Sequence, residues 1–218
     1  FRETLRKKVE VQGKYKKQSG GHGQYGDVKM EFEPSGDLEK PYVFEERVFG
    51  GAVPRNYFPA VEKGIQECVL KGPLAGYPVV GLKATLVDGS YHPVDSSELA
   101  FKMAATMAFK KGFMDANPVL LEPIASLKVT VPDKFTGDVM GDLNRRRGRV
   151  LGMNSDHHGK QVIEADIPVS ELYGYNTDLR SMTGGIGVYS YEFSRYEQAP
   201  GDVQKREVEA RAAEAEKD

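Results

Sequence analysis

Apolar and polar side chains alternate along the first part of the chain. The stretches 9–15 and 28–32 carry apolar residues two positions apart, and a glycine-rich segment separates them. This pattern is typical of a half-buried β-hairpin. The stretch 42–48, which opens on aromatic and β-branched residues, predicts a third strand.

The next stretches predict a helix, a strand and a second helix. Apolar residues recur at helical spacing over 58–69, and 79–87 returns to strand composition. Asp95-Ser-Ser-Glu98 has the pattern of a capping box, in which Asp95 accepts a backbone N–H and Glu98 reaches back to the cap. We therefore expect the second helix to run from 96 to about 111.

The remainder of the chain repeats the mixture of strands and helices in a different order. The predicted strands and helices cover 125–131 (strand), 135–146 (helix), 149–153 and 161–167 (strands), 170–181 (helix) and 188–196 (strand). The order β-α-β-β-α-β is that of a ferredoxin-like domain. Both parts are thus predicted to be α+β.

The pattern changes near residue 122, which divides the 218 residues into two domains of ordinary size. We predict one domain over 1–122, a second over 123–200, and a charged tail over 201–218 that forms an exposed or frayed helix. The chain begins at Phe1 without a methionine or an apolar leader, which suggests a fragment of a longer protein.

Composition narrows the class of protein. Hydrophobic residues make up 39% of the chain and charged residues 28%, which is enough to build a core. No apolar run approaches the roughly 18 residues of a membrane span, and the single cysteine excludes an intramolecular disulfide. These features predict a cytoplasmic protein with no membrane partner.

Positive charge is concentrated locally, although the net charge is only −2. Residues 1–17 carry seven Lys or Arg against two Glu, and four arginines fall within five positions, namely Arg145, Arg146, Arg147 and Arg149. Such clusters can bind phosphates, but a solvated surface explains them equally well.

A glycine motif at 21–26 raises the question of nucleotide binding. The sequence Gly21-His-Gly-Gln-Tyr-Gly26 fits G-x-G-x-x-G, but the residues after it alternate as a strand, whereas a dinucleotide site requires a helix there. The chain also lacks a P-loop sequence. A glycine-rich hairpin tip remains, which could approach a flat or grooved surface closely.

The histidines offer weaker candidates for chemistry. His92 could act as a base or a polar contact, and a small hydrolase using His92 and Asp95 stays an alternative, but the sequence supplies no nucleophile. The adjacent His157 and His158 lack further spaced ligands, so we predict no metal site. The residues alone favour binding domains without a catalytic site or cofactor of their own.

Several strings in the first domain resemble domain IV of bacterial elongation factor G. They are Gln18-Ser-Gly-Gly-His-Gly-Gln-Tyr-Gly26, Gly50-Gly-Ala-Val-Pro54, Tyr57-Phe-Pro-Ala-Val-Glu-Lys-Gly64, Leu74-Ala-Gly-Tyr-Pro-Val-Val80 and Asp88-Gly-Ser-Tyr-His-Pro-Val-Asp-Ser-Ser-Glu98. The second domain resembles domain V of the same family. Its strings are Pro118-Val-Leu-Leu-Glu-Pro123, Gly137-Asp-Val-Met-Gly-Asp-Leu-Asn-Arg-Arg-Arg-Gly148 and Gly174-Tyr-Asn-Thr-Asp-Leu-Arg-Ser181.

This resemblance implies a ribosomal protein S5 domain 2-like fold for the first domain. Its tip would enter the decoding region of the small ribosomal subunit and contact tRNA and mRNA during translocation. The tip residues implied by the resemblance are Gln18, Ser19, Gly20, Gly21, His22, Gly23, Gln24, Tyr91 and His92.

The resemblance also implies partners and cofactors for the complete protein. The second domain would lie near the sarcin–ricin loop and the stalk base of the large subunit, with Arg145 to Arg149 as possible rRNA contacts. GTP and Mg²⁺ would bind a GTPase domain upstream of residue 1, and the factor would act as a monomer.

Some positions depart from the family pattern. His22 stands where an arginine is usual, and Met182 and the stretch 184–187 also differ. A paralogue specialised for ribosome recycling or another ribosome-bound role is therefore an alternative, and a tetracycline-protection factor ranks below it.

Overall fold

The computed structural model describes residues 1–19 and 21–217, without the side chain of Ser19. They form two compact units. Unit 1 comprises Phe1–Leu121 together with Ala199–Asp218, and unit 2 comprises Glu122–Gln198.

Unit 1 is built on a mixed sheet. Its elements are β1 (Arg2–Thr4), β2 (Val9–Ser19), β3 (His22–Pro34), β4 (Tyr42–Glu46), α1 (Phe58–Cys68), β5 (Leu82–Ser90) and α2 (Glu98–Asp115). The strands of the sheet lie in the order β2-β3-β5-β4, and β4 runs parallel to β5. The predicted order of three strands, helix, strand and helix is confirmed. Strand β1 was not predicted, and it precedes the others.

The start of helix α2 differs from the predicted capping box. Ser97, not Asp95, is the N-cap, and its hydroxyl accepts a hydrogen bond from Ala100 N at 3.1 Å. Asp95 instead lies in the preceding loop, where its carbonyl oxygen accepts from Tyr25 N. The prediction was wrong because Ser97 offers the same capping chemistry two positions later.

Helix α2 packs very close to the β2–β3 hairpin. The helix presents small, fully buried side chains, Ala100, Ala104 and Ala108, to the sheet. A Cβ built on Gly13 would lie 2.1 Å from the carbonyl oxygen of Ala104, and one on Gly26 would lie 2.4 Å from that of Ala100. The helix backbone therefore occupies the space that any side chain at these two glycines would need.

Strand β1 positions a buried carboxylate. Glu3 is 0% exposed, and its two carboxylate oxygens accept hydrogen bonds from the backbone N–H groups of Leu74, Ala75 and Tyr77 at 2.8 to 2.9 Å. Burial raises the pKa of Glu3, while these donors act in the opposite direction. One side chain thus holds the 74–77 loop against the start of the chain.

We expect Glu3→Gln to lower the free energy of unfolding of unit 1 by about 2 kcal/mol. The glutamine side chain has one acceptor oxygen in place of two. Its NH2 group would therefore face at least one of the backbone N–H donors that a carboxylate oxygen of Glu3 now accepts. Urea unfolding followed by circular dichroism measures the effect. Glu39→Gln, at an exposed position, is the control, and equal stability of the two variants would contradict the role of Glu3.

Unit 2 has the predicted ferredoxin-like order. Its elements are β6 (Val119–Pro132), which begins in unit 1, α3 (Thr136–Arg145), β7 (Arg149–Ser155), β8 (Lys160–Pro168), α4 (Tyr175–Thr183) and β9 (Val188–Gln198). The strands lie in the order β9-β6-β8-β7, and residues 119–121 of β6 pair with β1. The α+β fold class is confirmed for both units.

The charged tail forms helix α5 (Gly201–Ala215), and most of its side chains are exposed, as predicted. Val203 is buried in a small cluster with Leu120 and Ala199. The Tyr77 hydroxyl hydrogen-bonds Glu207, and burial together with this carboxylate raises the pKa of Tyr77 to about 12. The tail pattern gave no sign of this packing because Leu120 and Tyr77 lie 83 and 130 residues before Val203 and Glu207, their respective partners.

Within the described residues, no helix is both long and apolar enough to cross a membrane.

Candidate nucleic-acid interface

The β2–β3 hairpin extends to its turn as a paired ribbon. Gln18 pairs with Gly23 and Ser19 with His22, so the turn is as short as a hairpin allows. Gly21 has a φ of +108°, a conformation that favours glycine. The side chains of Gln18 and His22 are exposed, whereas Gly20 lies outside the described residues.

The loop 91–96 lies directly against this hairpin. Tyr25 N donates to Asp95 O at 3.0 Å, and the Ser96 hydroxyl donates to Tyr25 O at 2.9 Å. A Cβ on Gly23 would lie 2.6 Å from the Asp95 carboxylate. We refer to the segments 18–24 and 91–96 together as the tip. The structure brings the described candidate residues of the hairpin next to the loop that carries Tyr91 and His92.

His92 organises its own loop. Its Nδ1 accepts hydrogen bonds from Val94 N at 3.1 Å and Asp95 N at 3.0 Å. These two bonds correspond to the tautomer in which Nδ1 is the acceptor and Nε2 carries the N–H. The Asp95 carboxylate lies farther from Nδ1, at 3.7 Å, so it does not displace these bonds. The side chain is about half exposed and presents a single donor, Nε2–H.

A chain of hydrogen bonds supports the tip from below. Gln12 donates to one oxygen of Asp27 at 2.7 Å, and Ser90 donates to the other at 2.6 Å. The Tyr25 hydroxyl then donates to Ser90 at 2.6 Å. These bonds hold the Tyr25 side chain in place, and the Tyr25 backbone is hydrogen-bonded to the 91–96 loop. Sequence reasoning missed this chain of hydrogen bonds because its members are up to 78 positions apart.

The geometry favours binding over catalysis at the tip. The hydrolase alternative requires His92 to accept a proton from a nucleophile, but its Nδ1 is already occupied by two backbone donors. Tyr91 is 48% exposed, and Val94 is 77% exposed. The tip therefore presents an exposed aromatic ring and an exposed apolar side chain beside its polar groups.

Among the described residues, no group of three or more His, Cys, Asp or Glu could hold a metal ion.

The arginine cluster separates into two kinds of side chain. Arg147 makes a bidentate pair with Glu122 at 2.9 and 3.0 Å, and Arg146 binds Asp142 at 2.9 Å and also contacts Asp178. Arg145 has a side chain that is 75% exposed, with one bond of 3.3 Å to Asp142.

Arg149 is also exposed. The fixed pair, Arg146 and Arg147, stabilises unit 2, whereas Arg145 and Arg149 are accessible to a ligand.

We expect Arg147→Ala to lower the free energy of unfolding of unit 2 by about 2 kcal/mol, since it leaves the buried Glu122 carboxylate without its cation. Arg145→Ala should cost less than about 0.5 kcal/mol, as for other exposed pairs. Urea unfolding of both variants makes the comparison. A larger loss for Arg145→Ala would reverse the assignment.

Comparison with known proteins agrees with this architecture. Residues 1–117 match the family described as elongation factor G, domain IV, and residues 119–207 match the elongation factor G C-terminus. A crystal structure of a protein from Thermus thermophilus is 50% identical, with a TM-score of 0.84 over 97% of this chain. The chain spans 31% of that protein. The chain belongs to the elongation factor G family and contains its domain IV and its C-terminal domain.

Proposed function

We propose that this chain is the ribosome-binding part of a translational GTPase that promotes movement of tRNA and mRNA, with the tip entering the decoding region. One observation carries this proposal. Two loops about 70 positions apart are hydrogen-bonded into one exposed tip that contains polar and glycine residues.

The chemistry of the tip suits contact with a codon–anticodon duplex. An A-form helix has a wide, shallow minor groove that displays 2′-hydroxyls, and small polar residues can contact it by shape. Gln18 and the Nε2–H of His92 supply hydrogen-bonding groups. Gly21 and Gly23 have no side chains, so the backbone at these positions can approach the groove closely. Such contacts are independent of base sequence, which a factor serving every codon requires.

The proposed mechanism involves no covalent step in this chain. The tip holds the tRNA–mRNA duplex more tightly in one ribosomal state than in another, and so biases movement in one direction. GTP, with Mg²⁺, is hydrolysed by a separate domain of the full-length factor. The factor acts as a cytoplasmic monomer.

The second unit would bind the large subunit near the sarcin–ricin loop and the stalk base. Arg145 and Arg149 are the members of the cluster whose exposure allows charge-assisted bonds to rRNA phosphates. Arg146 and Arg147 would support them indirectly by stabilising the unit.

Ribosome co-sedimentation with the full-length factor tests the proposal. We expect the factor to pellet with ribosomes in the presence of a non-hydrolysable GTP analogue, and to accelerate translocation in rapid-mixing experiments. Absence of nucleotide-dependent pelleting would refute ribosome binding. Pelleting combined with acceleration of subunit splitting, and no effect on translocation, would instead support the recycling paralogue.

A further inference from the structure

A third loop, Arg47–Tyr57, adjoins the tip in unit 1. It begins where Arg47 N donates to Leu86 O at 2.8 Å, beyond the last paired residue of β4. Val53 is 1% exposed, and its Cγ2 would lie 2.6 Å from a Cβ on Gly89. The Tyr57 hydroxyl donates to Ser96 O at 3.3 Å. The end of this loop is therefore anchored to strand β5 and to the 91–96 loop of the tip.

The middle of the loop presents one aromatic ring to solvent. Phe49 is 93% exposed, whereas the adjacent Val48 packs against the core. Gly50 and Gly51 follow with φ values of +68° and +71°, and neither has another atom within 4 Å of a built Cβ. The phenyl ring thus stands on an open turn that a flat ligand can approach without obstruction.

We propose that Phe49 is a stacking platform for an unpaired nucleobase of RNA next to the tip. A phenyl ring has no polar atom, so it binds a base through its face and tolerates every base. Arg55, in the same loop, is 87% exposed and contacts Glu46 only at 3.7 Å, so a cation is available for a phosphate. The proposal rests on the proposed function, because it assumes that the tip approaches RNA.

The charge and position of the loop favour RNA over an apolar pocket on a protein. The ring is 93% exposed and two glycines with positive φ follow it, and Arg55, six positions later in the same loop, supplies an exposed guanidinium. The loop contacts Ser96 of the tip and Gly89, which lies in β5 two positions before the tip. A surface that meets the RNA-binding tip would therefore reach this ring as well.

Substitutions of Phe49 in the full-length factor test the proposal, because they separate the aromatic ring from the apolar volume of the side chain. We expect Phe49→Trp to bind pre-translocation ribosomes like wild type, and Phe49→Leu and Phe49→Ala to bind about fivefold or more weakly, as for other base-stacking residues. Leu70→Ala, at a 71% exposed position elsewhere in unit 1, is the control and should be unchanged.

Retention of affinity by Phe49→Leu would overturn stacking and indicate an apolar protein partner. Unchanged affinity of Phe49→Ala, with wild-type factor binding normally, would overturn any contact and leave the proposed function intact. A photo-crosslinking phenylalanine analogue at position 49 should attach to an RNA nucleotide. Attachment to a ribosomal protein would refute the proposal.

Discussion

His92→Ala in the full-length factor is expected to slow tRNA–mRNA translocation about 50-fold while ribosome-stimulated GTP hydrolysis stays near the wild-type rate. The alanine removes the outward Nε2–H and also the acceptor that holds Val94 N and Asp95 N. Losing a specific contact to RNA together with the bonds that order the loop should cost about 1 to 3 kcal/mol, or about 5- to 150-fold in rate, and the expected effect lies within this range. Rapid-mixing kinetics on pre-translocation ribosomes measure both activities.

Two substitutions separate the two roles of His92. His92→Asn places an amide oxygen near the position of Nδ1, so the loop keeps its acceptor and loses the outward donor. His92→Gln keeps a donor near the position of Nε2 and loses the acceptor. If the slower translocation is due mainly to the lost RNA contact, His92→Gln should slow translocation less than His92→Asn. If it is due mainly to the disturbed loop, His92→Asn should slow translocation less. Equal loss of translocation and GTP hydrolysis in all three variants would contradict a role confined to the tip.

Gly13→Ala is expected to cost more than about 3 kcal/mol of stability and to leave unit 1 largely unfolded at moderate urea concentrations. The new methyl group would lie 2.1 Å from Ala104 O and 2.8 Å from Ala108 N. Both atoms belong to the backbone of α2, so the overlap is relieved only if the whole helix moves away from the hairpin, at a cost at the upper end of overpacking. Hydrogen exchange of β2 and β3, together with circular dichroism, should show the loss.

Gly141→Ala is the matched control. Gly141 lies inside α3 and has open space around a built Cβ. Alanine is a better helix former than glycine by about 0.8 to 1 kcal/mol, so this variant should be slightly more stable. If Gly13→Ala were tolerated as well as Gly141→Ala, the close packing of α2 on the hairpin would be incorrect.

Elements with a strong period were predictable from the sequence, because a buried face imposes its spacing on the chain. The β2–β3 hairpin and the order β-α-β-β-α-β of unit 2 follow from alternation and helical spacing alone. The candidate tip was found differently, through strings that resemble a family. Nothing in the pattern itself showed that Ser96 joins the two loops, since that bond links residues 71 positions apart.

Other features were hidden because their causes lie in the tertiary structure. Strand β1 has three residues, too few for a period, and the burial of Glu3 depends on N–H groups some 70 positions later. The arginine cluster looked uniform, although Arg147 is paired with Glu122 and Arg145 is exposed. A run of arginines in the sequence shows only that positive charge is present. Which of these arginines are paired with carboxylates depends on the tertiary packing.

Helix α5 has a consequence for biosynthesis. Residues 1–121 are synthesised before 122–198, and α5 is synthesised after both, whereas unit 1 needs that helix to cover Leu120 and Tyr77. Of these two units, unit 1 is therefore begun first and completed last during synthesis. A premature stop codon after residue 198 would leave all of unit 2 in place and impair unit 1, which carries the tip.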